Sequence, residues 1–192
     1  MDALKGIVAK WNRCVKCDIG KYATRHVFFR GGDAVKILFV GEGPGRTEDH
    51  DGEPFVGRAG ELIDKMIGVA EIPVDVVGFT NLVCCRPCDG KRLPNRPPTE
   101  TEINNCMPRL IAMITTIKPS AVVCLGKVPA RAWMDRAGSN VFRKIGLLQH
   151  GAWFLYHPAY LLRRGSEQSP EYDDTVKTLR YVFAKINEKA VP

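Results

Sequence analysis

Four short apolar runs, Ile37 to Val40, Val76 to Thr80, Ser120 to Leu125 and Ala152 to Tyr156, are spaced so that a helix fits between each pair. The intervening segments carry the helical period: Leu62, Ile63, Met66, Ile67 and Ala70 after the first run, and Ile103, Cys106, Met107, Leu110, Ile111 and Ile114 after the second. Ala130, Trp133 and Met134 follow the third run, with Gly138 as a stop, and a last helix runs roughly from Tyr172 to Asn187. Strands that alternate with helices pair in parallel, because a parallel partner is reached only through a crossover that a helix fills. The expected fold is therefore α/β: three α/β/α layers around a central, mostly parallel four-stranded sheet. An N-terminal cysteine-containing segment, residues 1–30, precedes it, irregular after a short amphipathic start at Leu4, Ile7, Val8 and Trp11. A chain of 192 residues that is 45% apolar suits a single domain, 1–192.

Lys and Arg exceed Asp and Glu by 28 − 21 = 7, a balance that leans toward a polyanionic partner. No apolar stretch reaches the ~18 residues of a membrane span, and the N-terminus lacks the apolar core of a signal peptide, so the chain is expected in the cytoplasm with no membrane partner. In that reducing compartment seven cysteines argue against a disulfide framework and for metal or cluster ligation by some of them.

Three unusual segments each follow an expected strand. They are Gly41-Glu42-Gly43-Pro44-Gly45, continuing through the small-residue stretch Gly52 to Gly60 with its Phe55; Asn81 to Cys88; and His157 to Arg164. Functional groups of an open parallel sheet gather at the carboxyl ends of its strands, so the three converge at one edge. From residue type alone, each has two readings. Glu42 is a solvated loop carboxylate or a site group, Phe55 a core aromatic or a stacking surface, Asn81 a turn cap or a polar reader. Tyr160, Leu161 and Leu162 begin a helix or form an apolar wedge. Cys14 and Cys17 form a CxxC pair, as do Cys85 and Cys88, and two such pairs are also a zinc pattern.

Taken in order, GEGPGRTED with GEPFVGRAGELI, TNLVCCRP with NRPPTETEINNC, LGKVPAR, and YHPAYLLR resemble the uracil-DNA glycosylase superfamily, specifically its iron-sulfur branch, often called family 4. The resemblance covers most of the chain from Cys14 onward. It implies a monomeric enzyme that flips uracil out of DNA and hydrolyses its glycosidic bond in base excision repair. It implies a base pocket of Gly41, Gly43, Phe55 and Asn81, with Phe55 stacking on the base and the Asn81 amide matching uracil N3–H and O4. Glu42 would orient water and oppose positive charge on the sugar, and His157 would donate to uracil O2 as the base leaves. Arg58, Tyr160, Leu161, Leu162, Arg163 and Arg164 would contact DNA, the apolar members as a wedge and the arginines on phosphates. Cys14, Cys17, Cys85 and Cys106 would hold a 4Fe-4S cluster as thiolates, with Cys88 as the substitute fourth ligand and zinc as the alternative metal.

Three departures from the family pattern stand out. The interval from Cys85 to Cys106 is longer, by an insertion around Cys88 to Pro94; Gly43 replaces a common Ala; and Arg143-Lys144-Ile145-Gly146 lacks an expected Arg-Gly. Extra room at Gly43 would admit a bulkier base and the inserted basic loop would alter which DNA is bound, so one alternative is a glycosylase for another modified base, for example in phage defence; a separate one is an inactive DNA-binding homologue.

Overall fold

The computed structural model describes residues 2–137 and 152–188. Its centre is a sheet of strands β1 (Arg30–Gly31), β2 (Ile37–Gly41), β3 (Val77–Asn81), β4 (Ala121–Leu125) and β5 (Ala152–Leu155), in the spatial order β1-β3-β2-β4-β5. The pairs β3-β2, β2-β4 and β4-β5 are parallel. The sheet thus has five strands where four were expected. The addition, β1, is a two-residue antiparallel edge on β3 with Arg30 opposite Phe79. An Arg-Gly pair has no apolar alternation to announce a strand.

Every residue of β2, β3 and β4 is buried, as central parallel strands covered on both faces require. Side chains alternate between two cores. Ile37, Phe39, Phe79 and Val123 pack with α4 (Arg58–Val69) and the last helix, α8 (Pro170–Glu188), through Ile63, Met66, Val176 and Leu179. Leu38, Val40, Val122 and Cys124 face the other way, against α1 (Asp2–Trp11), α5 (Glu100–Ile117) and α6 (Lys127–Ala137), through Trp11, Leu110, Ile114 and Trp133. Three α/β/α layers follow. The N-terminal segment is more regular than expected, with α1 packed in the second core and a short α2 at Ile19–Tyr22. Gly138 and the Arg143 to Gly146 stretch lie outside the described residues.

α5 begins with a reciprocal cap: Glu102 N donates to Thr99 Oγ1 at 3.2 Å and Thr99 N donates to Glu102 at 2.7 Å. Two shorter helices serve the sheet edge, α3 (Arg46–Asp51) and α7 (Pro158–Arg163). With β3 and β4 on opposite sides of β2, the chain reverses direction across the sheet at β2, and the exit of β2 is the switch point where α/β folds bind ligands.

Candidate active site

Gly41 ends β2 and lies in register with Asn81, the last residue of β3. A Cβ on Gly41 would run into the Asn81 Oδ1 and the Phe55 ring, so the bare glycine is the floor over which a carboxamide and an aromatic meet. The Phe55 ring centroid lies 5.3 Å from that of Phe79 and 6.5 Å from that of His157, which follows β5. Glu42 comes directly after Gly41. Five of the expected residues, Gly41, Glu42, Phe55, Asn81 and His157, therefore gather at one end of the sheet.

Phe55 sits there under strain. Its φ is +58°, a left-handed conformation that costs an L-residue on the order of 1 kcal/mol. The surrounding loop enforces it. A side chain at Gly60 would overlap the Phe55 carbonyl, and Gly57 N donates to the buried Glu48 Oε1 at 2.9 Å. Glu48 is a positioning residue that residue type alone does not mark; only its burial reveals it.

His157 caps α7: its Nδ1 accepts from Ala159 N at 3.1 Å. A neutral ring with Nδ1 as acceptor carries its proton on Nε2, so the free nitrogen is a donor. Burial holds the His157 pKa below its usual value, aided by the nearby Arg163 charge and opposed by Glu48. Burial raises the Glu42 carboxyl above its ordinary range, because withdrawal from water disfavours its charged form.

Asn81 is 3% exposed and is held from behind by Arg109, a fully buried residue of α5. Arg109 Nη2 donates to the carbonyls of Asn81 and, at 3.0 Å, Leu82; Nη1 donates to Thr80 Oγ1 at 3.1 Å. Thr80 in turn donates to Phe28 O at 2.7 Å. All these acceptors are neutral, so the arrangement fixes the backbone at the exit of β3. A lone Arg among Cys106, Met107, Leu110 and Met113 on an apolar helix face was the available signal.

Two expectations change. Gly43 does not open the pocket: a Cβ there would lie 2.9 Å from Val83 Cγ2 and 3.0 Å from Pro87 Cδ, so the position is glycine because the loop after β3 packs against it. Leu161 is not presented at the surface as a wedge would be. His157 as cap and Pro158 in the first turn start a helix that buries Leu161 completely, with Leu162 and Tyr160 packed on the same core. The Tyr160 ring stacks on Tyr156 at 5.5 Å, and its hydroxyl donates to Glu171 at 3.4 Å. Arg58, Arg163 and Arg164 are exposed, and Arg164 lies 3.6 Å from Glu171.

The cysteines occupy the far side of the β3 exit. Cys84 Sγ is 3.6 Å from Cys106 Sγ, and Cys84 N donates to the same sulfur at 3.4 Å, so Cys84 is more than a small apolar filler; Cys124 lies wholly in the core. Burial raises the Cys17 thiol pKa, and the neighbouring Cys106 and Cys14 add to the shift. Cys17 and Cys88 line one cavity of about 520 Å³ with Glu102 and Arg96. Among the described residues no three Cys, His, Asp or Glu side chains form a ready metal-ion site. The donors present are thiols, which suit a thiophilic group rather than a hard cation.

No helix among the described residues is long and apolar enough to cross a membrane. A family model described as the uracil DNA glycosylase superfamily matches residues 28–180. A type-4 uracil-DNA glycosylase of Archaeoglobus fulgidus is 33% identical over 201 residues, covering 96% of each chain. One from Sulfurisphaera tokodaii is 38% identical over 204 residues, covering all of this chain and 86% of its own. One from Thermotoga maritima is 34% identical over 163 residues, covering 81% of each.

Proposed function

The chain belongs to the uracil-DNA glycosylase superfamily, and from that membership we propose that it is a hydrolytic DNA N-glycosylase that removes uracil from DNA and leaves an abasic site for base excision repair. One observation carries the reading: the Asn81 amide and the Phe55 ring meet over Gly41, with His157 beside the ring. A base taken out of the stack needs an aromatic face, an edge reader and a donor for its departing charge.

In the proposed reaction Phe55 stacks on the flipped uracil. The Asn81 carbonyl accepts from N3–H and its NH₂ donates to O4. Cytosine presents the reversed pattern and leaves both groups mismatched. The N1–C1′ bond breaks with its electron pair moving onto N1, and water adds at C1′ and loses its proton. Ionised Glu42 orients that water and opposes the positive charge on the sugar. The His157 Nε2–H donates to O2 of the departing anion. The neutral tautomer set by its cap and its lowered pKa support that role.

Cys14, Cys17, Cys85 and Cys106 are proposed to hold a 4Fe-4S cluster, with Cys88 as substitute and zinc as the alternative metal. Cys14 and Cys17 pack against the core cluster that contains Cys85 and Cys106, which supports this set. Such a group would staple the N-terminal segment to the β3 exit, a structural role, since four thiolates leave no open position. Arg58, Arg163 and Arg164 are proposed as phosphate contacts. The enzyme is read as a single-domain monomer acting in the cytoplasm. Selection of another modified base rested on room at Gly43, which packs instead against Pro87.

Incubation with a labelled uracil-containing oligonucleotide followed by alkali is expected to cut the strand at the uracil position. No cut on single- or double-stranded substrate, with cofactor-replete protein, refutes the uracil assignment.

A further inference from the structure

Between Cys88 and Pro97 the chain has no regular secondary structure, yet it is tightly built. Arg86, 4% exposed, donates from Nε to Asn95 Oδ1 at 2.6 Å, from Nη1 to Lys91 O at 2.9 Å, and from Nη2 to Leu93 O. Burying a guanidinium is costly unless its donors are used, and here three of them shape one loop. The loop is closed at its base by Arg96 N donating to Pro87 O at 2.9 Å and by the Arg96–Asp89 ion pair at 2.6 Å.

The same loop is fastened to the wall of the candidate active site. Asn95 Nδ2 donates to Pro44 O at 3.3 Å, and Arg46 Nη2 donates to Arg92 O at 3.4 Å. It is therefore held against the segment that follows Glu42. At its tip Leu93 is 49% exposed, and Lys91 and Arg92 on its N-terminal side are exposed as well. The nearby acids Asp89 and Glu102 are already engaged by Arg96, so they do not neutralise these two cations.

We propose that residues 89–96 form a preorganised duplex-DNA contact in which Leu93 enters the base stack next to the flipped nucleotide while Lys91 and Arg92 hold flanking phosphates. The inference rests on the glycosylase reading. An apolar side chain presented next to two cations on a rigid loop matches what a kinked duplex offers, an opened base step bordered by phosphates. Leu161 is fully buried, whereas Leu93 is exposed. Rigidity lowers the ordering cost of inserting that side chain.

The test compares wild type with Leu93→Ala, Leu93→Met and the double variant Lys91→Ala/Arg92→Ala on one uracil-containing sequence, as duplex and as single strand. Leu93→Ala is expected to lower kcat/KM about tenfold on the duplex and to leave the single strand within about twofold, since only the duplex has a stack to open. Leu93→Met retains most of the duplex activity. The double variant lowers the slope of log K against log salt for duplex binding by up to about 2, roughly one unit per lost phosphate contact. Equal loss on both substrates, or loss on neither, overturns the wedge. If wild type releases no uracil from either substrate, the glycosylase reading fails, and the salt slope alone decides the loop: an unchanged slope overturns it and a reduced slope supports the phosphate contact.

Discussion

Burial moves the Glu42 and His157 pKa values in opposite senses, up for the carboxyl and down for the imidazole. In the proposed reaction Glu42 acts without its proton, and burial raises its pKa, so the acid limb of the kcat/KM profile should lie above the ordinary carboxylate value of 4.5. Glu42→Gln should abolish that limb and lower kcat on the order of 10²-fold, with KM changed far less. Steady-state rates across pH on both proteins check this; an unchanged limb in the variant assigns it to another group. For His157 the folded pKa is depressed below 6.5, so the unfolded chain binds the proton first. The stability His157 contributes is present above 6.5 and is lost as pH falls below it. Asn81 relies on Arg109. Arg109→Met leaves the Asn81 and Leu82 carbonyls buried without their donor, at about 1–3 kcal/mol each. It should also reduce discrimination between uracil and cytosine, a readout that a purely structural role would not move. Competition between the two bases in otherwise identical oligonucleotides, alongside a denaturation curve, separates the two effects.

The helices and loops explain which parts were legible from residue order. Short apolar runs and the 3.6 period are local patterns, so the four main strands and α4, α5 and α8 were readable within a few residues. Strand β1 was not, because Arg30 and Gly31 gain their pairing only from the distant Phe79 and Gly78. The start of α7 was written plainly in His157-Pro158, a cap followed by proline, but the apolar pair after it also fits a wedge, and only burial separates the two. The site residues were recognisable through their order along the chain. The place of Arg109 on an apolar helix face marked it as unusual, but its role was not legible, since the oxygens it holds lie 27 to 29 residues away, and neither was the direction of a Cβ at Gly43. At the N-terminus of α5, Arg96 lowers the Glu102 pKa through a paired contact at 2.8 Å. Its stabilisation is present above the ordinary 4.5 and is lost as pH falls through the lowered value. Thr99→Ala should remove the other half of the cap and cost about 1 kcal/mol in denaturant titration; no change in midpoint would show that the cap is dispensable.

Across the whole molecule, three segments distant in sequence are tied together at one end of the sheet. Asn105 Nδ2 donates to Lys16 O at 3.2 Å and Val27 N donates to Cys84 O at 2.7 Å, which fasten the N-terminal segment to α5 and to the loop that leaves Asn81, and the loop of residues 89–96 joins that exit to the loop bearing Glu42. An iron-sulfur cluster here predicts a brown protein absorbing near ~400 nm, whose loss loosens the N-terminal helices. A colourless protein with bound zinc contradicts the cluster and leaves the base pocket unaffected. The central claim is that this end of the sheet binds and releases a flipped uracil. The most direct test is detection of free uracil after incubation with a uracil-containing oligonucleotide, with the matched thymine and cytosine strands as controls. Free uracil and an alkali-labile site from the uracil strand alone are the predicted result; no free base, or equal release from the cytosine strand, would contradict it.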